Sequence, residues 1–258
     1  MRHCLLTLLF WIVANSSILA QAPDTKVSLV PEENPVKPGS ETLVGIRFQI
    51  PPGWHMYWVN PGDAGEPPKV QWVLPAGWSA GDLEWPTPTR MVNPAGVDYG
   101  YENEVMLLTP TKVGQSGGDL TANLRWLVCK EVCVPQKGSA KTSLRVGTSA
   151  PDPAGAQIIG AAKAKLPKTP PIQWKVNAFQ NPGQLILNLR PGTKVQQATF
   201  FPAEREIIEN TATQKLSSTS YAAQLALKRA DTTKKVLRLK GVLVINGATA
   251  YAVDVPVK

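Results

Sequence analysis

Histidine and cysteine are scarce in this chain: two and three, respectively, among 258 residues. His3 and Cys4 lie in an N-terminal stretch that reads as a removable leader, which leaves His55, Cys129 and Cys133. A zinc site of two cysteines and two histidines cannot be assembled from that set. A Ser/His/Asp triad would have to use His55, which sits among Trp54, Met56, Tyr57 and Trp58 and reads as a packed histidine. Beyond the leader, no apolar run approaches the roughly 18 residues of a membrane span. The 27 basic residues exceed the 19 acidic ones, for a net charge of +8, but they are scattered. That spread argues against nucleic acid and suits an anionic membrane surface or an acidic partner. No cofactor is expected.

The leader is built as Met1-Arg2-His3, an apolar core from Cys4 to Val13, then Asn15-Ser16-Ser17-Ile18-Leu19-Ala20. A basic start, an apolar core and a small residue make a secretory signal peptide over residues 1–20. Cleavage is expected after Ala20, because Pro23 disfavours cleavage after Ala22. The core is too short to span a bilayer comfortably, and no lipobox cysteine follows it. What remains is long enough for two ordinary domains.

Short alternating runs between Gly/Pro turns dominate the remainder, which predicts an all-β chain of β-sandwiches. Val27–Val30, Glu41–Ile50, Val70–Leu74, Val105–Pro110, Leu120–Val128 and Lys141–Val146 read as strands of a first domain over residues 21–147. Asn60-Pro61-Gly62-Asp63-Ala64-Gly65 reads as a turn, and Trp85-Pro86-Thr87-Pro88 as extended. Trp54, Trp58, Trp72, Trp78 and Trp85 are expected in core and loop packing, or as an aromatic surface that shields the cysteines. Residues 148–171 read as an Ala/Pro-rich linker with one helix, Ala154–Leu166, which Pro167 stops. A second β-sandwich is expected over residues 172–258, with strands at Gln184–Leu189, Ala198–Phe201, Tyr221–Leu227, Lys235–Leu239, Gly241–Ile245 and Ala250–Val255. Asn246-Gly247 marks a hairpin turn.

The chemistry concentrates in Trp126-Leu127-Val128-Cys129-Lys130-Glu131-Val132-Cys133-Val134-Pro135. Residues four apart in a straight strand are separated by about 13 Å, whereas a disulfide needs Cα atoms within about 7 Å. Cys129 and Cys133 therefore bond only if the three residues between them fold back, as a tight hairpin or a single helical turn. So small a ring gains little from loop closure, which favours a bond that opens and closes over a structural staple. A local clip that stiffens a turn is the alternative. Lys130 and Arg125 would favour a thiolate, and Glu131 would oppose it. Cys129, Cys133 and the methionines Met56, Met91 and Met106 are also soft enough to hold Cu(I), which keeps a copper-handling role in view.

Four ordered segments carry a family resemblance: Trp54 to Gly65, Trp85 to Arg90, Tyr99-Gly100-Tyr101-Glu102, and Trp126 to Pro135. Together they resemble the N-terminal periplasmic domain of the DsbD/ScsB thiol:disulfide interchange proteins, the ScsB-like branch in particular. The resemblance covers about residues 25–147. It implies an immunoglobulin-like fold, a periplasmic location and a redox role for Cys129 and Cys133, with the second cysteine forming the mixed disulfide. It also implies two partners, a membrane-embedded electron carrier on a separate chain and periplasmic thioredoxin-like proteins. Tyr99 and Tyr101 are the candidate cap over the cysteines, and Trp126, Lys130 and Pro135 are candidates for docking. The spacing of the cysteines is shorter than in the better-known DsbD form. The exported protein should begin near Gln21, as its intact mass will show; retention of residues 1–20 would remove the argument for export.

Overall fold

The computed structural model describes residues 24–247 and 249–258; the expected signal peptide lies outside the described residues. The described residues form seventeen strands and one helix. The first ten strands are β1 (Lys26–Pro31), β2 (Glu41–Gln49), β3 (His55–Gly62), β4 (Lys69–Val73), β5 (Ser79–Ala80), β6 (Thr89–Asn93), β7 (Gly96–Glu102), β8 (Glu104–Lys112), β9 (Gly118–Cys129) and β10 (Cys133–Leu144). One sheet has the order β1-β2-β8-β5, and the facing sheet has the order β10-β9-β3-β7-β6, with β4 paired to β9. Alternation explains how they pack. Val44, Ile46 and Phe48 of β2 meet Leu120, Ala122, Leu124, Trp126 and Val128 of β9 in one buried cluster, each series taking every second residue of its strand.

The outer face of the first sheet is covered by the helix, α1 (Gly155–Lys163). Ile159 and Ala162 pack there on Met106 and Leu108. Burying Ile159 completely contributes about 2 kcal/mol. Gly45 makes this approach possible, since a Cβ at that position would lie 2.4 Å from the Met106 sulfur and 2.8 Å from Ile159 Cδ1.

The remaining strands are β11 (Lys175–Gln180), β12 (Gln184–Arg190), β13 (Ala198–Pro202), β14 (Lys215–Ser218), β15 (Ala223–Lys228), β16 (Arg238–Ile245) and β17 (Thr249–Pro256). They form a second sandwich of sheets β11-β12-β15-β14 and β13-β16-β17, closed over a core that includes Leu185, Leu187, Leu225, Leu227, Phe200 and Leu243. Asn246 and Gly247 turn the β16–β17 hairpin with φ of 52° and 69°. The expectation of an all-β chain with two sandwiches and one helix holds. Two local readings differ. Lys235–Leu239 and Gly241–Ile245 read as two strands, yet β16 runs unbroken from Arg238 to Ile245; a Cβ at Gly241 would stand 2.1 Å from the Phe201 carbonyl, so the glycine serves close approach between strands. The Asn60–Gly65 segment reads as a turn, yet β3 continues to Gly62 through a register shift against β7, a bulge that aims the following loop.

The 148–171 segment is tied to both sandwiches. Asp152 N donates to Glu32 O, Thr87 N to Lys165 O, and Lys168 N to Ala250 O. The two cores also touch. Phe201 and Val242 of the second sandwich are buried in the cluster of the first, where Phe201 meets Trp58 and Tyr99 edge-on at centroid distances of 6.4 and 5.3 Å. Phe201→Ala should therefore cost roughly 3–5 kcal/mol in a denaturant titration. The wild-type chain should unfold in one transition; two independent transitions would contradict a shared core.

Candidate functional site

The β9–β10 hairpin sets the geometry of the cysteines. Its register runs without interruption from Gly118↔Leu144 to Cys129↔Cys133, so the two cysteines face each other across the last rung. Their Cα atoms are 4.1 Å apart and their sulfurs are bonded. The three residues between them, Lys130-Glu131-Val132, make the tip, where Lys130 N donates to Val132 O at 3.2 Å. Of the two geometries that the spacing allows, the chain adopts the hairpin.

The two sulfurs are not equivalent. β9 is an inner strand, paired to β10 on one side and to β3 and β4 on the other, with His55 opposite Cys129. Cys129 is accordingly buried, at 2% exposure. β10 is an edge strand, and Cys133, Lys130, Glu131 and Val132 are exposed. Val132 is a bare apolar side chain at 65% exposure, next to the accessible sulfur.

β3 supplies the polar neighbours. Met56 and Trp58 enter the core, so the alternation turns His55 and Tyr57 to the other face. The Tyr57 hydroxyl lies 3.4 Å from Cys133 Sγ. His55 stands edge-on to the Tyr57 ring, with centroids 5.2 Å apart. Its Nε2 is 3.5 Å from Asp98 Oδ2, a close approach without an aligned hydrogen bond, since Nε2 has no hydrogen-bond partner among the described residues. Asp98 Oδ2 accepts from Asn93 Nδ2 at 2.7 Å. Burial, and then the negative charge of Asp98, push the Tyr57 phenol up to about 12. Tyr57 therefore remains protonated across the neutral range and can donate to a sulfur that carries charge.

Backbone packing holds Tyr57 in place. The ring lies under Gly65, whose φ is +78° and where a Cβ would fall 2.1 to 2.5 Å from the ring carbons. Only glycine lets the backbone approach that closely. The Lys130 stem lies over Gly53, 3.8 Å from the position of a Cβ there.

The residues that the sequence singles out are distributed differently from a single cap. Tyr99 is buried against Phe201 and donates to Asn210 Oδ1 at 3.0 Å. Tyr101 is buried and donates to Pro86 O at 2.8 Å. Burial raises both phenols, Tyr99 to about 12 and Tyr101 well above the ordinary phenol range. Trp126 faces the core edge-on to Phe48, with its Nε1 donating to Gln136 Oε1 at 2.9 Å. Pro135 and Lys130 are exposed on the hairpin. The hydroxyl in contact with the disulfide belongs to Tyr57, which the sequence reading left among the packed aromatics. The period-two pattern of His55-Met56-Tyr57-Trp58 is the signal that sets it apart from Met56 and Trp58.

Of the soft ligands considered for copper, Met56 is in the first core and Met106 lies beneath α1. No group of three or more His, Cys, Asp or Glu residues among the described residues is arranged to hold a metal ion. No described helix is long and apolar enough to cross a membrane.

Comparison with known proteins agrees with this geometry. Residues 26–144 match the family described as thiol:disulfide interchange protein DsbD, N-terminal. No curated protein is similar enough in sequence to register as a match. The N-terminal periplasmic domain of ScsB from Proteus mirabilis has the same fold, with a TM-score of 0.67 at 20% identity, over 87% of this chain and 91% of that one. The reduced N-terminal domain of Neisseria meningitidis DsbD aligns over 48% of this chain and 91% of its own, at 17% identity and a TM-score of 0.29. The matched segment, residues 26–144, is the first sandwich with both paired cysteines, and it is this part of the chain that is similar to the N-terminal domain of the DsbD thiol:disulfide interchange proteins.

Proposed function

We propose that this chain is a periplasmic thiol-disulfide exchange module. It passes reducing equivalents from a membrane-embedded electron carrier to thioredoxin-like oxidoreductases through Cys129 and Cys133. The observation that carries this reading is the asymmetry of the bonded pair: one sulfur sealed in the sheet, the other exposed on an edge strand beside a phenol.

The exchange balances as follows. A thiolate of the donor attacks Cys133 Sγ, the accessible sulfur. The Cys129–Cys133 bond breaks, an intermolecular disulfide forms at Cys133, and Cys129 leaves as a thiolate that takes up a proton. The donor's second thiolate then attacks its own sulfur in that bond and releases Cys133. Two electrons have moved, the donor is oxidised and the pair is reduced. Toward a client the steps reverse: the Cys133 thiolate attacks the client disulfide, and Cys129 resolves the mixed bond. At each point where Cys133 carries charge, Tyr57 is the adjacent donor. The exposed Val132 and Pro135 supply apolar surface around the reacting sulfur for a docking partner.

The structural-clip alternative is weakened by the hairpin itself. Each of its two strands is twelve residues long, and they pair along their full length, so the register does not depend on the bond. In the chain-entropy model a ring this small stabilises by only about 2 kcal/mol. Reduction should therefore lower stability by about that amount and leave the chain folded; unfolding on reduction would make the bond structural. Cys129→Ala should trap a covalent complex with a thioredoxin-like partner through Cys133, and Cys133→Ala should trap little. Equal trapping by both variants would remove the assignment of Cys133, and trapping by neither would remove the exchange function.

A further inference from the structure

The loop after β3 is fastened to the second sandwich at three places. Asn60, which is 1% exposed, donates through Nδ2 to Pro202 O and Glu204 O at 2.8 and 2.9 Å. Asp63 Oδ1 accepts from Asn210 Nδ2 at 2.7 Å. Gly65 O accepts from Arg205 Nη2. The last of these matters most for the disulfide, because Gly65 is the residue pressed against the Tyr57 ring, and the Tyr57 hydroxyl touches Cys133. A continuous series of contacts thus leads from an arginine of the cysteine-free sandwich to the reacting sulfur. Beside Arg205, Glu206 adopts a φ of 61°. A residue with a Cβ takes that left-handed conformation only where its surroundings hold it there.

We propose that the second sandwich is a positioning element for the redox site, and that Arg205 is its positioning residue: by holding Gly65 it keeps Tyr57 against Cys133. Without that hold, the loop beyond Asp63, from Ala64 to Glu66, is free to lift, and the phenol loses its fixed distance to the sulfur. The effect is local to Cys133, because Cys129 is sealed by β3 and β10 and does not depend on this loop. The inference rests on the exchange reading only for its consequence; the contact series is independent of any partner.

The other charged and titratable groups around Cys133 come from every neighbouring element: His55 from β3, Asp98 from β7, and Lys130 and Glu131 from the hairpin tip. None of them is altered by substitution at Arg205. Glu66 is engaged by Lys69 at 3.0 Å, and Asp63 remains held by Asn210 and by Val97 N. Arg205 itself is exposed, so its replacement removes no core packing.

The test is the rate at which a small aromatic disulfide reacts with Cys133 in the Cys129→Ala chain, where no second thiol can expel the label, followed over pH, with the labelled cysteine identified by peptide mapping. Loss of a donor to the thiolate lowers the thiolate fraction while raising intrinsic nucleophilicity by about half the exponent. A tenfold loss of thiolate thus appears as roughly a threefold slower reaction at neutral pH. Tyr57→Phe should slow labelling by roughly that factor and move the profile to higher pH. Within the Cys129→Ala chain, Arg205→Ala should do the same where Tyr57 is present and nothing further where Tyr57→Phe is already in place, and Arg205→Lys should recover part of the rate. If Arg205→Ala leaves the profile in place, or slows labelling equally in both backgrounds, the proposal is overturned. No partner protein enters this measurement. A failure of covalent trapping together with a positive result here would remove the exchange function and leave the positioning role standing.

Discussion

The antiparallel pairing of β9 with β10 is the constraint on which the site depends. Strand pairing fixes both the distance between the cysteines and their difference in exposure. Cys129 and Cys133 meet because they occupy the last rung of a ladder, and they differ because one strand is interior to the sheet and the other is its edge. Uncovered edge strands carry a hazard of unwanted pairing. Here the edge bears Lys137, Lys141 and Pro135, all exposed, which discourage continued pairing while leaving the tip open. The chemistry needs that opening, since a sulfur exchanges only with a partner that can reach it.

Around this hairpin the chain distributes two kinds of work. The first sandwich supplies sulfurs, phenol, imidazole and carboxylate. The second supplies no group to the disulfide, but it completes the first core through Phe201 and Val242 and fastens the loop over Tyr57 through Asn60, Asp63 and Gly65. Trp58 and Tyr99 lie at the junction, so one of the two tyrosines expected to cap the sulfurs packs between the two sandwiches. The helix does comparable work on the far side, where Ile159 closes the outer face of the first sheet over Gly45.

Much of this was legible from residue order. Alternation at Leu120 to Val128 and at Glu41 to Ile50 marks β9 and β2, and the cysteine spacing restricts the pair to a hairpin or a helical turn. The missed features share a cause: they depend on contacts between segments far apart in sequence. Gly241 reads as the start of a strand rather than its interior because the Phe201 carbonyl that requires a glycine there lies forty residues earlier. Tyr57 stands out only when the Cys133 sulfur, 76 positions away, is placed against it. Periodicity assigns a side chain to a face; it does not say what lies opposite that face.

The claim that the Cys129–Cys133 bond opens and closes in use is tested most directly by its equilibrium with a glutathione buffer of known composition. Structural disulfides of exported proteins have potentials below about −300 mV, beyond the reach of that couple, whereas exchange proteins lie above it. The account predicts a potential above about −300 mV, with measurable populations of both forms of the folded chain. A bond that stays fully oxidised until strongly reducing conditions unfold the first sandwich would contradict it.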